Sequence, residues 1–237
     1  PAPTPGPRLH LLGPIDLTGC AGEPPSRAAR QCVEYCAWLH LHPGASPQEM
    51  GRSLLVAEGT RRSNMSRLRT WLGADPEGTP YLPDAYSGRI WLADDVSSDW
   101  GDLLVLTAGG VNALPLDRLL AALRLVRGAP LADAAPGQWG WAEEVRSDAG
   151  ALIRDIGVVA ARRALEVGDT DTARWAASRA LVAAPDDELL MVERIRTEHR
   201  AGRGEDVHRL VQRVTRTARG LGLDLLPETV DVCQEVL

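Results

Sequence analysis

Between Glu58 and Gly73 the sequence reads EGTRRSNMSRLRTWLG, which sets Arg61, Arg62, Arg67 and Arg69 among the hydroxyl residues Ser63, Ser66 and Thr70. Guanidinium forks bond phosphate oxygens or the O6 and N7 acceptors of guanine. Hydroxyls bond phosphates or base edges, and a good bidentate base contact discriminates by about 1–3 kcal/mol. On a wheel of about 3.6 residues per turn, Met65, Leu68 and Leu72 share one face, and Arg62, Ser63, Ser66, Arg67 and Thr70 project away from it. Arg69 falls at the border, suited to a backbone phosphate. Arg89, further along, is placed to enter a minor groove or clamp a phosphate. The candidate residues for contact with duplex DNA are therefore Arg62, Ser63, Ser66, Arg67, Arg69, Thr70 and Arg89. Arg61 does not fit the pattern, because it shares the face of Met65, Leu68 and Leu72, where an unpaired buried guanidinium is expensive. Either it lies in a first turn and snorkels to water or to Glu58, or the helix starts later. The plainer reading of such a face is a solvated one.

Other chemistries are poorly served. All 26 basic residues are Arg, so the chain holds neither a P-loop lysine nor a Schiff-base lysine. It has no nucleophile elbow, HExxH, Cys-x-x-Cys or glycine fingerprint after a strand, so no enzyme and no cofactor are expected. Cys32 and Cys36, four apart, precede His40 and His42, but the thiols fall on an apolar face and the imidazoles diverge. Buried thiols are expected there rather than zinc. Trp139 and Trp141 suit either a ligand groove or an anchor between helical layers; the anchor is the expectation, with Trp175 in the same stack.

The net charge of -6 is unevenly spread. Residues 1–73 carry eight Arg against five acids (+3), residues 74–110 one Arg against seven acids (-6), and the rest 17 Arg against 20 acids (-3). An anionic partner should meet the first third, although the acids Asp94, Asp95 and Asp99 follow closely. Four scattered cysteines point to a reducing, cytoplasmic compartment. No run is apolar enough for membrane insertion of this segment, and the opening PAPTPGPR reads as the end of a Pro-rich linker from a longer chain.

The elements that must carry these residues follow from periodicity. Arg8–Leu12 and Ile15–Leu17 read as strands around Gly13-Pro14, and Ala28–Leu41 as a helix. Ser46-Pro47 with Glu49 caps a second helix running to about Leu55, and the Arg-rich stretch supplies a third. Tyr81-Leu82 and Arg89–Leu92 predict a hairpin, followed by a short helix over Asp99–Leu106. Residues 1–110 thus read as a winged helix-turn-helix domain. Residues 111–237 read as all helical, with Gly168-Asp169 and Gly202-Arg203 spaced 34 apart, the tetratricopeptide period. The same offset takes Ala173 to Val207, Ala176 to Leu210 and Ala180 to Val214. The fold class is mainly α with a small β component.

With these motifs in place, the chain resembles the actinobacterial antibiotic regulatory protein family, an OmpR-like winged helix followed by a bacterial transcriptional activator domain (BTAD). The resemblance covers nearly the whole length. It rests on Leu12-Gly13-Pro14-Ile15, Met65 to Arg69 with Leu72-Gly73, Ala122 to Leu131, and Gly168-Asp169 through Arg179-Ala180-Leu181 and Pro185. Glu58 to Met65 and Asp84 to Ile90 resemble more closely the C-terminal part of membrane-anchored LysM/BTAD proteins. The resemblance implies a transcriptional-regulator-type module in which the winged helix binds duplex DNA and the helical domain makes protein contacts or self-associates. Arg174, Arg179, Arg196 and Arg200 are contributors on the helical domain. The alternative is a protein-interaction module that keeps the shape without binding DNA, in an assembly tethered to the inner face of the membrane by its parent chain.

Overall fold

The computed structural model describes residues 6–84, 88–134 and 138–236. In β1 (Arg8–His10) alternation turns Leu9 inward, and the strand pairs antiparallel with β2 (Asp16–Thr18), setting Leu9 opposite Leu17 in the core. A third strand, β3 (Ser97–Ser98), adds parallel to β1, giving the order β2-β1-β3. Two serines carry no apolar signature, so this strand was not legible beforehand. The carboxylate of Asp99 is buried and accepts the backbone N–H of Leu11 at 2.6 Å and of Leu12 at 3.2 Å, while Arg8 reaches Asp102 at 2.5 Å. The first turn of α4 (Asp99–Thr107) thereby holds the end of β1 through charge-assisted bonds.

Helix α1 (Ala29–Leu41) buries Cys32, Tyr35, Cys36, Trp38 and Leu39. Helix α2 (Pro47–Ser53) starts at the capping box: Ser46 Oγ accepts the Glu49 N–H at 3.2 Å, and the Glu49 carboxylate accepts the Ser46 N–H at 2.7 Å. Helix α3 (Glu58–Leu72) packs on α1 through Met65, Leu68, Trp71 and Leu72, and the Cys32 thiol donates to the Asn64 carbonyl at 3.6 Å. Its C-terminal carbonyls are taken up by the 21–22 loop, where Ala21 N–H bonds Leu72 O and Gly22 N–H bonds Trp71 O. A Cβ at Gly22 would fall 2.2 Å from the Thr70 carbonyl oxygen, so only glycine permits that approach.

The hairpin expected after Gly73 is not a regular ladder among the described residues. Ile90 instead bridges to Ala45, with Ile90 N–H on Ala45 O at 2.9 Å and Gly44 N–H on Ile90 O at 3.0 Å. The two arms are linked by the bond from Ala93 N–H to Tyr81 O. Pro80 and Pro83 have no N–H to donate, and Ile90 is drawn into the core, which decides the pairing. The tip of the expected turn, residues 85–87, lies outside the described residues.

The contacts divide the chain into two compact units, each made of two segments. One unit runs through Asp102 and includes Leu131–Glu144; the other comprises Leu103–Pro130 and the residues from Val145 on. The returning segment joins the first unit by main-chain bonds from Leu131 N–H to Leu11 O and from Ala132 N–H to Gly13 O. The second unit is helical: α5 (Leu116–Arg124), α6 (Glu143–Glu166), α7 (Thr170–Ala183), α8 (Glu188–Arg200), α9 (Gly204–Leu221) and α10 (Pro227–Val236). Its repeat is visible in the backbone. Gly168 and Gly202 both take positive φ, closing α6 and α8 with the same pair of bonds, Gly168 N–H to Leu165 O and Asp169 N–H to Ala164 O, then Gly202 N–H to His199 O and Arg203 N–H to Glu198 O. Ala173 and Ala180 of α7, and Val207 and Val214 of α9, are all buried.

Candidate nucleic-acid interface

Helix α3 sorts its side chains by the expected wheel. Met65, Leu68 and Leu72 are buried, and Arg62, Ser63, Ser66, Arg67 and Thr70 are exposed. Arg61 lies in the first turn, half-buried, and lines a shallow cavity of about 440 Å³ with Gln48, Gly51 and Val56, which lets its guanidinium reach solvent. Glu58 pairs with Arg62, one turn on, rather than with Arg61.

The other predicted residues are engaged to different degrees. Arg67 bonds the side-chain oxygen of Asn64 at 2.7 Å, which orients it without neutralising it. Thr70 donates back to the Ser66 carbonyl at 3.1 Å. Arg69 donates through Nε to the Leu82 carbonyl at 3.0 Å and pairs with Asp84 at 3.0 Å, so its fork clasps the segment after Gly73. Arg89 donates to the Gly44 carbonyl at 3.1 Å and lies 3.8 Å from Glu49. Five of the seven predicted residues therefore share one outward helical face, while Arg69 and Arg89 fasten the flanking segment to α3 and to the α1–α2 loop.

Burial pushes the Cys36 thiol up, and burial with nearby Asp16 pushes the Cys20 thiol up to about 11, which keeps both protonated and unreactive. His40 lies 2.9 Å from the Ser98 hydroxyl, and burial lowers its pKa. Trp141 donates to Glu34 of α1 at 3.1 Å, stacks on Trp139 and meets His42 edge-on, fastening the returning segment. The Trp175 ring lies under Arg124 at 5.9 Å, within the helical unit. On that unit Arg174 and Arg196 are tied into Glu198 and Glu193, Arg179 bonds the Leu123 carbonyl, and Arg200 is exposed beside His199. Among the described residues no helix is long and apolar enough to cross a membrane.

A short three-stranded sheet, three helices with α3 presented outward, and a helical unit of tetratricopeptide period define a winged helix followed by a helical repeat domain. Among solved structures the chain is similar to Mycobacterium tuberculosis EmbR, determined in complex with a low affinity phosphopeptide, with a TM-score of 0.64 and 22% identity. The likeness covers 99% of this chain and 65% of the EmbR chain, and it is one of fold. No family model and no curated protein matches the sequence.

Proposed function

We propose that this chain is a transcriptional-regulator-type module that binds duplex DNA through the outward face of α3 and makes protein contacts through its helical unit, by self-association or with the transcription machinery. The observation that carries the reading is the exposure of Arg62, Ser63, Ser66, Arg67 and Thr70 on one side of a helix whose other side is buried. Helix α3 holds four Arg against the single acid Glu58, a local +3 in a chain of -6. The exposed Arg62–Glu58 pair does not block phosphate, since such pairs are worth about 0–1 kcal/mol and exchange freely. In this reading Arg69 and Arg89 act indirectly by fixing the segment beside the helix. The fold shared with EmbR and the family resemblance support it. The setting we propose is cytoplasmic, free or tethered to the inner membrane face by a longer chain.

A second reading has its own observation. Arg62, Arg69 and Arg89 each face a carboxylate, of Glu58, Asp84 and Glu49, which favours a module that keeps the winged-helix shape for protein contacts alone. Fluorescence anisotropy with a random-sequence duplex at low salt separates the two. The first reading expects a Kd on the order of micromolar, weakening steeply with salt, at a log–log slope of about -0.9 per phosphate neutralised. The Arg62→Ala/Arg67→Ala double variant should bind at least about tenfold more weakly, roughly 1.4 kcal/mol. Absence of binding by the intact chain, or binding indifferent to that double variant, overturns the first reading, and a partner pull-down dependent on residues 111–237 alone supports the second.

A further inference from the structure

Trp139 is the one aromatic residue among the described residues held in the left-handed backbone region, at φ 57 and ψ 37. A bulky side chain is uncommon there, and such a conformation is strained unless its surroundings over-determine it. The surroundings do not bury it fully. Trp139 ends a ladder of rings: Trp38 stacks on His42 at 4.4 Å, His42 meets Trp141 edge-on at 6.0 Å, and Trp141 stacks on Trp139 at 5.6 Å. Trp139 itself stays partly exposed. Two cavities flank it, one of about 260 Å³ floored by Ile15 and Val33, the other of about 380 Å³ beside Gln31 and Leu54.

Arg30 lines both cavities. Its guanidinium donates to the Asp133 carbonyl at 2.5 Å and makes no ion pair among the described residues, which leaves most of its five donors available. Neither nearby carboxylate forms an ion pair with it among the described residues. Glu34 accepts the indole N–H of Trp141 and burial raises its pKa, and Asp133 is exposed to solvent. An apolar floor, a free ring edge or face and an unpaired planar cation make complementary demands on one ligand.

We propose that the cavities beside Trp139 form a binding site for a small planar aromatic anion, its ring continuing the Trp139 stack and its carboxylate or equivalent group held by Arg30. The site lies wholly within the first unit and does not depend on DNA binding by α3. Isothermal titration of the full chain with 2-naphthoate tests it, with benzamidine as an aromatic cation and cyclohexanecarboxylate as a non-aromatic anion. One saturable site for 2-naphthoate is expected, with both comparison compounds at least about tenfold weaker. Arg30→Gln and Trp139→Leu should each weaken 2-naphthoate at least about tenfold, Trp139→Phe should stay within about threefold because a ring is kept, and Arg216→Gln, at an exposed position of α9, should change nothing. Far-UV circular dichroism confirms that each variant is folded. The proposal is overturned by no saturable 2-naphthoate binding up to about 5 mM, by equal binding of benzamidine, or by the same loss in Arg216→Gln as in Arg30→Gln.

Discussion

Arg67 and Arg69 are two residues apart and chemically identical, yet their surroundings give them different work. Arg67 stands exposed with a neutral partner, while Arg69 divides its donors between the Leu82 carbonyl and the Asp84 carboxylate. Arg67→Ala should leave the urea midpoint unchanged and weaken DNA binding, whereas Arg69→Ala should lower stability by about 1 kcal/mol, the ordinary loss for a charge-assisted bond at a half-exposed site. Equilibrium unfolding of the two variants side by side checks this; an equal effect of both on stability contradicts it. Gly157 makes a sharper steric case. A Cβ there would lie 2.4 Å from the Ala180 Cβ and 2.8 Å from Leu190 Cδ2, so α6 and its neighbours meet with no room for a methyl group. Gly157→Ala should therefore destabilise by about 1–3 kcal/mol, despite alanine's better helix propensity, as read from the shift in denaturation midpoint.

At the scale of elements, polar contacts at the strand ends of the first unit add to its apolar core. Helix α1 is tied to β3 through His40 and the Ser98 hydroxyl, and Ser98 also accepts the Gly101 N–H at 2.9 Å. Burial lowers the pKa of His40 below its ordinary value of 6.5, so the folded chain binds that proton less readily than the unfolded chain does. The contribution of neutral His40 is fully present above that ordinary value and is lost as pH falls through it toward the lower folded value. Stability of the first unit should thus decline as pH falls below the ordinary value of 6.5, and His40→Asn should flatten that decline. Urea midpoints across this range provide the check, and an unchanged slope in the variant removes His40 as the cause.

Over the whole molecule, the helical unit places charge where an apolar core would be expected. Glu193 and Glu198 are buried in α8, and guanidiniums converge on them: Arg162 and Arg196 on Glu193, Arg174 and Arg194 on Glu198. Burial alone would raise the pKa of Glu198, but the hydrogen bonds and charge of Arg174 and Arg194 outweigh it and hold the carboxyl below its ordinary value. A depressed folded pKa stabilises the fold above the unfolded value and is lost as pH falls through the folded one, so acid unfolding of the helical unit should begin below the normal carboxylate range. Glu198→Gln takes the shared carboxylate from the partly buried guanidiniums of Arg174 and Arg194 and should cost about 3 kcal/mol, the lower end for a broken buried pair because Arg174 keeps Asp171, seen as a large drop in Tm. A Tm within a few degrees of the parent would show that the network contributes little.

The periodic elements were legible because their signals are local. The capping box at Ser46 and Glu49, the buried face of Met65, Leu68 and Leu72, and the 34-residue spacing of Gly168 and Gly202 each depend on residues close in sequence or on a repeat that copies itself. The outward face of α3 follows from the same wheel, which is why Arg62, Ser63, Ser66, Arg67 and Thr70 fell together. Long-range geometry decided the rest. No local rule could pair Ile90 with Ala45, add Ser97–Ser98 to β1, return Leu131 to Leu11, or turn Arg69 and Arg89 toward carbonyls of distant segments. Those contacts join residues far apart in the chain, and which donor meets which acceptor is fixed only once the core has brought the segments together.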